Sequence, residues 1–187
     1  IGAGHTQEGL DELREAVNLS DGDAWLRHEL YLQNGIALHG EGYLEPAITS
    51  LRKALRFSHD IVTHTLLGHL LIEAGQPDQA LHCIREGTDH FPNDAELHHV
   101  AGLALALKGQ PFEAAQAFTR AIELEPRRGD PLHSLGLCFE SLGDAARAID
   151  AYERCLRLDC GEDARNDARQ RIARLRAGTD RGTLSPE

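Results

Sequence analysis

Residues 95–128 read AELHHVAGLALALKGQPFEAAQAFTRAIELEPRR. Leu97, Val100, Ala101, Ala104 and Leu105 recur at helical spacing, so the first half predicts a helix with one apolar face. Gly109-Gln110-Pro111 then breaks it: glycine takes the left-handed conformation past a helix end, and proline suits the first turn of the next helix. Ala114, Ala117, Phe118, Ala121 and Ile122 form a second stripe, which stops before Pro126, a residue that cannot continue a helix. The stretch therefore predicts two antiparallel helices joined by a tight turn.

The same pattern recurs on both sides. Gly35, Gly68, Gly102 and Gly136 are separated by 33, 34 and 34 residues, and Ala47, Ala80, Ala114 and Ala148 keep those separations. So do Leu51, Ile84, Phe118 and Tyr152. Gly75-Gln76-Pro77 and Gly143-Asp144 supply equivalent turns, Pro92 ends a second helix as Pro126 does, and Asp60, Asp94 and Asp130 stand where the next helix needs a cap. The glycine and alanine columns predict a close approach of the two helices, with the Phe118 column filling the space between one hairpin and the next. A hairpin of this size cannot bury its apolar face alone, so neighbours must stack.

These columns resemble the tetratricopeptide repeat family, whose pattern W-x2-L-G-x2-Y…A-x3-F…P they follow position by position. The best matches are 61–94, 95–128 and 129–162, where Leu132, Leu135, Gly136, Phe139, Ala148 and Tyr152 fit while Cys155 and Cys160 replace the usual Ala and Pro. Residues 28–60 fit through Tyr31, Gly35, Leu38, Ala47, Leu51 and Ala54. In residues 1–27, Gly9, Leu13 and Ala16 resemble the second helix of a partial repeat, with Trp25 in the connection that follows. Ala164, Ala168, Ile172 and Leu175 predict a capping helix over 163–177, with an Arg-rich polar side, and 178–187 read as a flexible tail. The resemblance implies an all-α, right-handed solenoid of about four full repeats with a partial one before and a cap after.

It also implies where a partner binds. In similar proteins the first helices of successive repeats line a concave groove for a peptide or protein segment. Carried onto this chain, the groove positions are Leu32, Gln33, Ile36 and His39; Thr65, Leu66, His69 and Ile72; His99, Leu103 and Ala106; and His133, Leu137 and Glu140. The expected groove is apolar with a row of imidazoles. Family members that clamp a chaperone's terminal carboxylate use Lys, Asn and Arg there. This chain has only Lys53 and Lys108 as lysines, neither at a groove position, and Glu29, Glu96 and Asp130 stand where the cations would be. A carboxylate-terminated chaperone tail is therefore a poor ligand, and an apolar segment a better one.

Composition narrows the alternatives. The 187 residues carry 19 Lys+Arg against 30 Asp+Glu, a net charge of −11, and phosphate neutralisation needs a basic face, which argues against nucleic acid. The one basic concentration, Arg165, Arg169, Arg171, Arg174, Arg176 and Arg181, has no interleaved aromatic for stacking on bases. No apolar run reaches the ~20 residues of a membrane span. Cys83, Cys138, Cys155 and Cys160 form no C-x-x-C and no zinc-type spacing, which predicts reduced thiols in a cytoplasmic setting and no metal or cofactor. There are 11 histidines, but the adjacent His98 and His99 diverge by about 100° on a helix and cannot chelate together. The histidines read first as scattered, solvated imidazoles, with a groove sensitive to pH as the second reading. No nucleophile elbow, phosphate loop or H-E-x-x-H occurs, so no catalytic residue is assigned and the chain reads as a non-catalytic interaction scaffold. The lack of Met and the opening Ile1-Gly2-Ala3-Gly4 suggest a piece of a larger protein. The second reading is a module for self-assembly or for docking within that larger protein. A homodimer would form through the N-terminal helix bearing Leu10, Leu13 and Val17.

Overall fold

The computed structural model describes residues 23–158 and 160–182. The N-terminal partial repeat, with Leu10, Leu13 and Val17, lies outside the described residues. Those described form helices α1 (Ala24–Gly40), α2 (Leu44–Leu55), α3 (Ile61–Glu73), α4 (Pro77–His90), α5 (Ala95–Leu107), α6 (Pro111–Leu124), α7 (Asp130–Ser141), α8 (Ala145–Arg157) and α9 (Glu162–Gly182). No strand occurs among the described residues. Two compact units divide them, one ending at Pro92 and one beginning at Asn93.

In unit 1, α1 pairs with α2, α3 with α4, and α3 packs back on α2. In unit 2, α5 pairs with α6 and α7 with α8, α7 packs on α6, and α9 closes on α8. All four hairpins turn in the same way. After α3, the Gly75 amide donates to Ile72 O (3.0 Å) and the Gln76 amide to Leu71 O (2.8 Å), and Gly75 has φ +68°. Gly109 and Gln110 repeat the pair on Ala106 O and Leu105 O, with φ +72° at Gly109. This pair of hydrogen bonds satisfies carbonyls a helix end leaves open and needs a residue free to take positive φ.

The helix starts follow the sequence in part. Asp60 and Asp94 cap α3 and α5, their carboxylates accepting from the Thr63 and Leu97 amides at 2.9 Å. Asp130 does not cap α7. It is the helix's first residue, followed by Pro131, and Gly129 occupies the cap position without a side-chain bond. Proline supplies no amide hydrogen, so that turn has less for a cap to satisfy. Asp23 caps α1 by accepting from Leu26 N, and the helix therefore starts ahead of residue 28 and takes in Trp25, which the sequence placed in a connection. At the other end, α9 runs through Gly182 rather than ending at 177, so the first residues of the expected tail are helical.

The glycine column works differently from the expectation. A Cβ on Gly35 would lie 2.7 Å from Leu51 Cδ2, one on Gly102 2.5 Å from Phe118 Cε1, and one on Gly136 2.6 Å from Tyr152 Cδ1. Each of these three glycines thus makes room for the large residue of its own hairpin, which is buried completely or nearly so, and at Gly35 the Ala47 carbonyl of the alanine column is also near, 3.4 Å from the same Cβ. Burying such a side chain contributes about 1.5–3 kcal/mol, which the small residue opposite makes possible.

Candidate functional site

The residues expected to line a binding face come from the first helix of each hairpin. In unit 1, Gln33 and Ile36 are exposed on α1, with Ile36 at 42%. Leu66, His69 and Ile72 are half-buried on α3. His39 from α1 meets Glu73 at the end of α3, Nε2 to Oε2 at 3.2 Å, so these two helices present their side chains together. Leu32 and Thr65 do not take part. Leu32 is buried among the core side chains, and the Thr65 hydroxyl turns back to donate to Ile61 O (2.9 Å) and Val62 O (3.1 Å). Both fall on the stripe that faces the second helices.

In unit 2, Leu103, Ala106 and Leu137 line one open cleft of about 320 Å³ between the end of α5 and α7. Gly109, Pro111, Phe118, Ser134, Cys138 and Ser141 complete it. Ser134 and Ser141 lie three residues before and four after Leu137, and that i±3/4 spacing would have identified them. No charged side chain lines the cleft, and the Ser141 hydroxyl is already bonded to Leu137 O at 3.0 Å. Its walls suit an uncharged apolar group.

The remaining three positions of unit 2 are occupied by the protein itself. His99 is buried against the Phe118 ring, centroids 5.7 Å apart, and beside Glu96 and Arg128. His133 Nε2 lies 2.8 Å from Asp167 Oδ2 on α9. Glu140 accepts from Tyr152 Oη (2.9 Å), Arg171 (3.0 Å) and Arg174. Burial alone would raise the Glu140 carboxyl, but the bonds from Arg171, Tyr152 and Arg174 outweigh it and hold it below the usual carboxylate range. Sequence reasoning gave Arg171 and Arg174 to a solvated face; they anchor the final helix to α7.

Three of the imidazoles at these positions are engaged within the protein. His39, His99 and His133 each approach a carboxylate of a different partner, Glu73, Glu96 and Asp167. Among the described residues, no group of three or more His, Cys, Asp or Glu is placed to hold a metal ion. All four cysteines are free and buried; burial pushes the Cys83 and Cys155 thiols up to about 12 and Cys138 to about 11, which leaves them inert at neutral pH.

With this geometry in place, comparison decides the family. The tetratricopeptide repeat profile matches residues 65–131 and 109–164, together more than half of the sequence. The chain belongs to the tetratricopeptide repeat family. Among solved structures, its fold is similar to a MamA protein with TM-score 0.72 and 25% identity, covering 82% of this chain and 83% of that one. It is also similar to MamA residues 41 to the end from Desulfovibrio magneticus RS-1, with TM-score 0.70 and 24% identity over 83% and 86% of the two chains. YrrB, described as a TPR protein with an unusual peptide-binding site, shares TM-score 0.71 and 20% identity over 89% and 84%. No sequence relative among curated proteins matches. The hairpins are thus TPR motifs of an all-α solenoid, and a TPR array is a scaffold for protein–protein interaction. No helix among the described residues is long and apolar enough to cross a membrane.

Proposed function

We propose that this TPR chain is a non-catalytic scaffold that captures an extended or helical peptide segment through an apolar anchor residue. The observation that carries this reading is the unit 2 cleft, whose Leu103, Ala106 and Leu137 are also the positions the family resemblance assigns to the groove. An incoming Leu- or Phe-sized side chain would contribute about 1.5–3 kcal/mol on burial there, offset in part by the cost of ordering the peptide. A terminal carboxylate has no cation to meet among the lining residues, so the ligand is an internal segment rather than a chaperone tail. The buried thiols support a cytoplasmic setting.

A peptide array probed with the full chain tests the reading. Peptides selected by the wild type should lose binding at least tenfold when Leu103 and Leu137 are both changed to Asp, with helical content retained by circular dichroism. Undiminished binding by that double variant overturns it. A self-assembly role is favoured by one observation, Trp25, which stands 66% exposed in the first turn of α1 beside half-exposed Leu26. Light scattering across a concentration series checks it: a strict monomer removes that reading, and a dimer lost on Trp25→Asp upholds it.

A further inference from the structure

Three histidines of unit 1, His28, His64 and His90, converge on two adjacent residues, His59 and Asp60, at the junction between α2 and α3. From α1, buried His28 places Nε2 2.9 Å from Asp60 Oδ2 and Nδ1 3.2 Å from Ala54 O. From α3, His64, with no exposed surface, places Nδ1 3.0 Å from Cys83 O on α4 and Nε2 3.0 Å from His59 Nδ1. From the end of α4, His90 stacks on the His59 ring with centroids 4.2 Å apart. Asp60 meanwhile caps α3 through the Thr63 amide.

The partners fix the protons. A carbonyl only accepts, so His64 Nδ1 carries a hydrogen and donates to Cys83 O; its Nε2 is then the acceptor, and His59 Nδ1–H donates to it. One proton added to the pair leaves this bond in place, since a neutral imidazole always keeps an acceptor nitrogen; the relay fails when both rings are cationic, because the hydrogen on His64 Nε2 then faces that on His59 Nδ1. Burial first, and neighbouring His59 second, lower the His64 pKa; the Cys83 carbonyl, Glu86 and Asp60 act in the opposite direction and are outweighed. A cationic His90 stacked on a cationic His59 adds repulsion, and both rings are exposed. His59 also borders an open cleft of about 550 Å³ whose walls include Arg52, Arg56, His82 and Glu86, so water reaches the relay. His28 works the other way, since a proton there faces the Asp60 carboxylate and tightens that contact.

We propose that the α2–α3 junction of unit 1 is a proton-operated joint: on acidification through the histidine range, His59 and His90 part from His64 and the α3–α4 hairpin loosens at its Asp60 end. The consequence reaches the face described above, because Leu66, His69 and Ile72 ride on α3. The joint therefore sets how well ordered that face is, without a change at the face itself.

Hydrogen exchange of the full chain at pH 7.5 and 5.5, corrected for intrinsic rates, tests the proposal. Protection over residues 56–66 should fall about tenfold or more at the lower pH, while residues 125–135, at the corresponding junction in unit 2, keep theirs. His64→Leu adopts the residue found at the equivalent position 132 of the fourth hairpin, and should remove the response whatever its stability at pH 7.5. Should that variant not fold, His90→Gln, at an exposed ring, should at least halve the response. An equal loss at both junctions, or an undiminished response in the folded variant, overturns the joint.

Discussion

At Gly136 the backbone of α7 runs against the Tyr152 ring, which is fully buried and tied through its hydroxyl to Glu140 at 2.9 Å. A methyl added there has no space to enter and a neighbour that cannot swing away. Alanine gains up to about 1 kcal/mol of helix preference over glycine, but overpacking a tight core costs about 1–3 kcal/mol. Gly136→Ala should therefore lower stability by about 1–2 kcal/mol. Gly40, at the end of α1, has nothing within 4 Å of a would-be Cβ, and Gly40→Ala should raise stability by up to about 1 kcal/mol. Urea unfolding of the two variants checks the opposite signs; two changes of the same sign would show that packing does not decide the glycine column. The column itself was plain in the sequence. Its physical cause was not, because spacing reveals that a small residue recurs but not which neighbour needs the room.

Individual helices show the same division. Their number, order and turns were legible because glycine, proline and the apolar stripes act locally, within one or two turns of chain. Asp94 and Asp130 look equivalent as letters, yet only Asp94 accepts an amide hydrogen bond, while Asp130 reaches no more than Arg128 Nε at 3.8 Å. Asp94→Ala should cost about 1 kcal/mol, the usual loss of a helix cap. Asp130→Ala should stay within about 0.5 kcal/mol, as expected for an exposed side chain with one long ion pair. Thermal unfolding of both variants compares them directly, and a larger loss at Asp130 would restore the cap expected from sequence. The binding residues were less legible than the caps. Leu103 and Ala106 line the cleft as the repeat register implies, whereas Thr65 turns inward and His133 and Glu140 are taken by α9. The Thr65 hydroxyl is held by carbonyls of its own helix, but the partners of His133 and Glu140 on α9, Asp167, Arg171 and Arg174, lie 31 to 34 residues away, and no local pattern carries that information.

For the molecule as a whole, α9 is the element whose role depends most on position. A stacked array needs its last apolar face covered, and α9 does so with Ala168 and Ile172 packed on Ala148 and Tyr152. Arg171 and Arg174 fasten the helix to Glu140, and His133 to Asp167. Against the desolvation that would raise it, bonds from Arg171 and then His133 hold the Asp167 carboxyl below its usual range, as Glu140 is held below its own. A carboxylate whose folded pKa is depressed contributes stability that is complete above its unfolded value, about 4, and is lost as pH falls through that value and below. His64 has the opposite chemistry and an earlier window: a base whose folded pKa is depressed loses stability as pH falls below about 6.5, where the unfolded chain takes up the proton and the folded one resists it. Acidification should thus act on the two units in sequence. Between pH 6.5 and 5 hydrogen exchange should quicken around His64 while Tyr152 and its neighbours in α8 stay protected, and α8 should follow only near pH 4. Replacing Glu140 by Gln removes the charge that Arg171 and Arg174 hold, so α8 and α9 should exchange faster already at pH 7, with the residues around His64 unchanged because repeats in an array depend on their neighbours. A single transition in which both regions lose protection at the same pH would mean that the array unfolds as one body and that the local charges do not set the order.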